Sequence, residues 1–191
     1  FHPGTSQCPG GMGRRLLCWI LSLTSTGMFR IKICGVTTAT DARLVVDCGA
    51  DAVGLNFYPP SPRYLTLHAA GAVAAALQPA VELKACHRVG LFVNPQFDEL
   101  DRTLGEVPLE CLQFHGDEPP EFLAAVAARF PQLRIVKAFR CGPAGLAPCL
   151  AYLERCGALD ALPEMILIDA YRPEQFGCTG VQADWNLAAE F

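Results

Sequence analysis

A (β/α)8 barrel with about six of its eight βα units present is the fold class that this 191-residue sequence predicts. Three observations predict it. From residue 28 onward, short apolar runs alternate with longer stretches of helical period. The helical stretches open on recognisable start signals. Lastly, polar or reactive residues stand at or near the C-terminal ends of the apolar runs.

The runs are "FRIKIC", "DAVGLNF", "RVGLFVN", "LECLQFH", "RIVKAF" and "MILIDAY". Each has the length of a buried strand, and most are rich in Val, Ile, Leu and Phe, as strands covered on both faces are. Between them lie the helices. "TDARLVVDCG" ends on Gly49, a C-terminal glycine. Thr66 precedes the alanine-rich "LHAAGAVAAALQ". Asn94 and Pro95 supply an N-cap and a first-turn proline for "QFDELDRTL". Pro119 and Pro120 open "EFLAAVAARF", where Phe122, Ala125, Val126 and Arg129 follow the 3.6 period. Asp184 precedes "WNLAAEF".

Strand–helix alternation with short loops calls for a parallel sheet covered by helices, either open and doubly wound or closed into a barrel. "CGVTTATD" lacks the glycine-rich phosphate turn of the open sheet. Cys34, Asn56, Asn94, Gln113 with His115, Lys137 and Asp169 fall at or near the ends of the six runs. A barrel gathers those ends around one mouth, where its active sites are built.

Composition narrows the function. Apolar residues make up 51% and charged residues 18%, so the domain has a sizeable core. A net charge of −4 gives no electrostatic footprint for nucleic acid or an anionic membrane surface. The ten cysteines contain no C-x-x-C pair, and the four histidines form no ligand pattern with them, so the spacing is not that of a metal or redox site. Cys48, Cys111, Cys149 and Cys156 lie in apolar stretches and read as reduced core thiols of a cytoplasmic protein. Residues 1–27 show no period to extend; "RRLLCWILSL" imitates a signal peptide without a small-residue cleavage site. They are expected to be a non-domain extension, with residues 28–191 forming the partial barrel. The apolar run there is far below the ~20 residues that a membrane span needs.

Asp169, after four apolar residues, is costly to bury unless paired or protonated. Cys34 stands at the matching place in the first strand, so the two would face each other across the mouth as a base and an acid. Lys32 shares side-chain parity with Cys34 and either favours its thiolate or pairs with an acidic residue deeper in the barrel. Arg63, in the proline-stiffened "PPSPRYLT", could clasp a carboxylate with a forked pair of hydrogen bonds or simply face solvent.

"KICGVT", "SPRY", "VGLFVN", "LQFHG", "ILIDA" and "CTG…DW", in this order, resemble the phosphoribosylanthranilate isomerase family from about residue 29 to the end. The resemblance implies a (β/α)8 barrel of tryptophan biosynthesis. Its reaction would be an Amadori rearrangement of N-(5-phosphoribosyl)anthranilate, without cofactor or metal. It places the general base on Cys34, the general acid on Asp169 and the anthranilate carboxylate on Arg63. Gln113 and His115 would line the pocket and bind substrate. The partner implied is a small phosphorylated substrate.

The sequence departs from that pattern in two ways. Two further βα units, roughly 54 residues, would be needed to finish the barrel, and phosphate is held after strands seven and eight in this fold. The implied enzyme is therefore C-terminally incomplete, and a second copy could supply the missing strands as a homodimer. Cys178 and Val181 also stand where the family usually has glycine and lysine. Two other readings remain open at this point: a non-catalytic barrel remnant, and a hydrolase with a Cys34 nucleophile activated by His115.

Overall fold

The computed structural model describes residues 29–83, 85–141 and 145–170. The expected extension over residues 1–27, the loop with Cys178 and Val181 and the helix after Asp184 lie outside them. Six strands alternate with five helices: β1 Lys32–Cys34, α1 Ala39–Asp47, β2 Ala52–Asn56, α2 Leu67–Glu82, β3 His87–Phe92, α3 Phe97–Glu106, β4 Cys111–Phe114, α4 Pro120–Arg129, β5 Arg134–Cys141, α5 Ala147–Ala158 and β6 Met165–Ala170. All neighbouring strands are parallel, and they lie in chain order from β1 to β6. The sheet curls into a half-barrel, with the helices on its convex side.

Side-chain parity explains the two layers. Val53, Leu55, Phe92, Leu112, Phe114 and Ile135 point outward and meet Ala70, Leu77, Leu100 and Leu123 of the helices. Ala52, Val89, Cys111 and Val136 point inward and pack with Met165 and Leu167, filling the bottom of the concave face. Both faces are thus buried, which is why the strands read as continuous apolar runs. Ile31 and Ile33 stay 50% and 40% exposed on the outer side of β1.

Thr38 and Thr66 cap α1 and α2 by accepting from the Asp41 and Ala69 N–H groups, and Gly49 takes φ +92° past the end of α1. The start of α3 corrects the expectation. Gln96 is its N-cap, while Asn94 is left-handed at φ +49° and accepts from the Asp117 N–H at 2.8 Å. Asn94 links two loops instead of starting a helix. On α4, the buried positions are Leu123 and Val126, whereas Ala125 and Arg129 face solvent. Cys111, Cys149 and Cys156 are buried and outside any disulfide, but Cys48 is exposed at the end of α1. Among the described residues no helix is long and apolar enough to cross a membrane.

Candidate active site at the strand ends

Two banks of side chains line the upper concave face. The first is on β1 and β2. Cys34 pairs in register with Gly54, and a Cβ built on Gly54 would lie 2.8 Å from Cys34 Sγ and 3.0 Å from Lys32 Nζ. The thiol and the ammonium therefore share the space that a missing side chain leaves. Among the described residues Lys32 has no carboxylate partner, so the deeper ion pair is not formed there.

Arg63 completes this bank. Its Nη1 donates to the Cys34 carbonyl oxygen at 2.8 Å, and its side chain covers Gly35, which takes φ +79°. Asn56 builds the loop that aims it. Asn56 Nδ2 donates to Ser61 Oγ at 2.9 Å, Asn56 Oδ1 accepts from the Tyr58 N–H at 2.9 Å, and Ser61 Oγ accepts from the Arg63 N–H at 3.2 Å. Asn56 is thus a satisfied loop-former.

The second bank spans β4 to β6. Gln113 Nε2 lies 3.3 Å from His115 Nδ1, and His115 Nε2 lies 3.0 Å from Asp169 Oδ2, across the intervening β5. A contact between second-neighbour strands requires the concave curl. Gln113 and His115 are buried, and the Asp169 side chain is 29% exposed. Among the described residues Gln113 Oε1 is buried without a hydrogen-bond partner, an acceptor that calls for an explanation. Both His115 nitrogens are engaged within this bank, so His115 is not the activating base of Cys34 and the thiol hydrolase reading falls.

Lys137 corrects the sequence reading of the mouth. β5 continues to Cys141, so Lys137 sits mid-strand with outward parity and forms a buried ion pair with Glu118 at 2.8 Å. The inward-facing residue near the end of β5 is Arg140, in register with Asp169 and paired with Asp117 at 2.5 Å. Sequence reasoning missed Arg140 because it ended the strand at Phe139. Glu118 was missed too, since "DEPPE" reads as a solvated helix start.

Comparisons with known proteins give the family and the fold. The family model described as N-(5'phosphoribosyl)anthranilate (PRA) isomerase matches residues 31–191. An N-(5'-phosphoribosyl)anthranilate isomerase of Azotobacter vinelandii is 42% identical over 160 residues, covering 83% of this chain and 69% of that protein. The crystal structure of the phosphoribosyl anthranilate isomerase from Thermotoga maritima superposes with a TM-score of 0.64 at 34% identity, covering 83% of this chain and 69% of that one. Monomers generated from the dimeric Thermotoga maritima enzyme give 0.58 at 32%, covering 74% and 64%. A phosphoribosyl anthranilate isomerase in complex with reduced 1-(o-carboxyphenylamino)-1-deoxyribulose 5-phosphate gives 0.59 at 34%, covering 75% and 66%.

Proposed function

The chain belongs to the N-(5'-phosphoribosyl)anthranilate isomerase family, and on that premise we propose how its own residues divide the chemistry. The reaction is the Amadori rearrangement of N-(5'-phosphoribosyl)anthranilate to 1-(o-carboxyphenylamino)-1-deoxyribulose 5-phosphate, a step of tryptophan biosynthesis. Asp169 is the acid. It gives a proton to the ribose ring oxygen as the bond from that oxygen to C1 breaks, and the anthranilate nitrogen supplies the electron pair that makes the C1–N double bond. The resulting Schiff base acidifies C2. Cys34 removes the C2 proton, and the enolamine takes up a proton at C1 while its C2 hydroxyl gives one up, which yields the ketone and returns Cys34 and Asp169 to their starting protonation.

The observation that carries this assignment is the His115–Asp169 contact on the same concave face as Cys34. With the Gln113 amide N–H on Nδ1, the His115 ring proton sits on Nε2 and donates to Asp169 Oδ2. The Asp169 carboxyl carries the transferable proton. Gln113 Oε1, buried and unpartnered, accepts from a substrate N–H or O–H. Arg63 holds the anthranilate carboxylate with the guanidinium edge that Cys34 leaves free to turn. The substrate is a small phosphorylated molecule, the compartment is the cytoplasm, and a homodimer is the assembly.

The test is loss of N-(5'-phosphoribosyl)anthranilate by the purified chain, with Cys34→Ala and Asp169→Asn beside it. Turnover that either substitution leaves near the wild-type rate removes the assignment. A folded wild-type chain without turnover makes it a barrel remnant.

A further inference from the structure

Lys137 and Glu118 are 3% and 2% exposed, on the far side of the barrel wall from the substrate face. Burying two charges costs more than their attraction returns unless other hydrogen bonds complete the site. Here they do. The Glu118 carboxylate accepts from the Asn94 N–H at 2.8 Å and from the Gly116 N–H at 3.1 Å on both oxygens. Lys137 Nζ donates to Glu118 at 2.8 Å and to the Gly116 carbonyl at 2.7 Å. Its ammonium also lies 5.7 Å from the Phe139 ring centre and 5.8 Å from that of Tyr152. The Tyr152 O–H donates to the Glu118 carbonyl at 2.8 Å, and burial pushes the phenol's pKa up, so it stays a donor.

The ion pair holds both backbone groups of Gly116, and Gly116 directly follows His115. The His115 N–H is itself held by the Phe92 carbonyl at 2.9 Å. A Cβ on Gly116 would run into Asn94, so the backbone here is packed against the neighbouring loop. His115 is therefore fixed on both sides, and its ring contacts Asp169. We infer that the Lys137–Glu118 pair is a positioning device: it fixes the His115 ring, and through it the Asp169 carboxyl, from outside the barrel wall. This rests on the isomerase reading only for its kinetic arm.

The test compares Glu118→Gln, the neutral double variant Lys137→Met with Glu118→Gln, and Tyr152→Phe. Each is followed by melting temperature, by steady-state kinetics, and by the imidazole nitrogen spectrum of His115, assigned with His115→Gln. Glu118→Gln leaves a buried ammonium without its counter-charge and should lower the melting temperature. The double variant removes that charge, so its melting temperature recovers towards wild type. The inference expects its kcat to stay down, about 10- to 100-fold, with KM within about threefold, because the Gly116 carbonyl is no longer held. It also expects the separate Nδ1 and Nε2 signals of His115 to move together as the tautomers mix.

A kcat that recovers along with the melting temperature overturns the inference, since the pair is then merely structural. So does an unchanged His115 spectrum. Should the double variant not fold, Tyr152→Phe decides, losing only the bond to the Glu118 carbonyl. A severalfold fall in kcat with a shifted His115 spectrum supports positioning, and no change in either overturns it. The spectra need no substrate. A wild-type chain without turnover therefore removes the isomerase reading, while the spectra still judge this one.

Discussion

The Arg63 guanidinium donates to the Cys34 carbonyl oxygen at 2.8 Å, so the loop after β2 is tied to the end of β1. The side chain proposed to bind the substrate's carboxylate thus also holds the backbone of the residue proposed to take its proton. Binding and chemistry are mechanically joined on this bank.

Arg63→Lys tests that joint. Lysine keeps the charge but has neither the planar fork nor the second edge. KM should rise about 10-fold or more through the lost carboxylate clasp. kcat should fall as well, because the Cys34 backbone loses its anchor. Steady-state kinetics over a range of substrate concentrations separates the two effects, and a pure KM change would confine Arg63 to binding.

Gly54→Ala examines the space beneath the thiol. The new methyl carbon would lie 2.8 Å from Cys34 Sγ and 3.1 Å from Cys34 Cα, both closer than ordinary contact. Overpacking of this kind costs about 1–3 kcal/mol, and here the displaced atom is the proposed base. The expectation is a folded chain of reduced stability with kcat down by about 100-fold. Urea unfolding followed by a rate assay on the same preparation checks both.

Cys111 gives a stability prediction with a definite sign. Burial pushes its thiol from 9.0 up to about 12, with the Lys32 charge acting in the opposite direction. Between those values the unfolded chain releases a proton that the folded chain keeps. The stabilisation is complete below pH 9 and is lost as pH rises towards 12. Burial also raises the Cys86 and Cys156 thiols, Cys156 to about 11, which adds in the same direction. Unfolding free energy should therefore fall between pH 8 and pH 10.5, and Cys111→Ala should flatten part of that slope.

Asp51 acts on the acid side. Partial burial pushes its carboxyl up, but the Arg30 and Ile31 N–H groups that it accepts hold it below its ordinary 3.8. Its stabilisation is present above about pH 4 and disappears as pH falls through the lowered value. Asp51→Ala frees the lead-in to β1 and should cost about 1–3 kcal/mol at neutral pH. The loss should shrink when the comparison is repeated near pH 2, which acid-dependent unfolding curves would show.

The strands were legible because a wall buried on both faces leaves an unbroken apolar run for every strand. Cys34, Asp169, Gln113 and His115 were legible because each interrupts or ends such a run with a group that a core avoids. Lys137 was placed wrongly for a simple reason. The apolar pattern puts it in a strand but does not mark where β5 stops, and a strand longer by two residues puts the end of the run at Arg140 and Cys141. Parity then turns Lys137 outward. Asn94 misled because an asparagine before a proline serves an N-cap and a left-handed turn equally well. Glu118 could not be found at all from local pattern, since what buries it is the arrival of β5 and α5 from later in the chain.

Strand order equal to chain order also has a meaning in time. Each parallel pair joins positions only roughly 20 to 35 residues apart, so every docking step closes a loop of modest length. Among the described strands, each one from β2 onward finds its neighbour in the strand made just before it. On the ribosome, the sheet can be laid down at the pace of synthesis, each emerging unit seating itself against the one just completed. Cys34 would be placed first and Asp169 last, so the wall would exist in large part before the pair it serves.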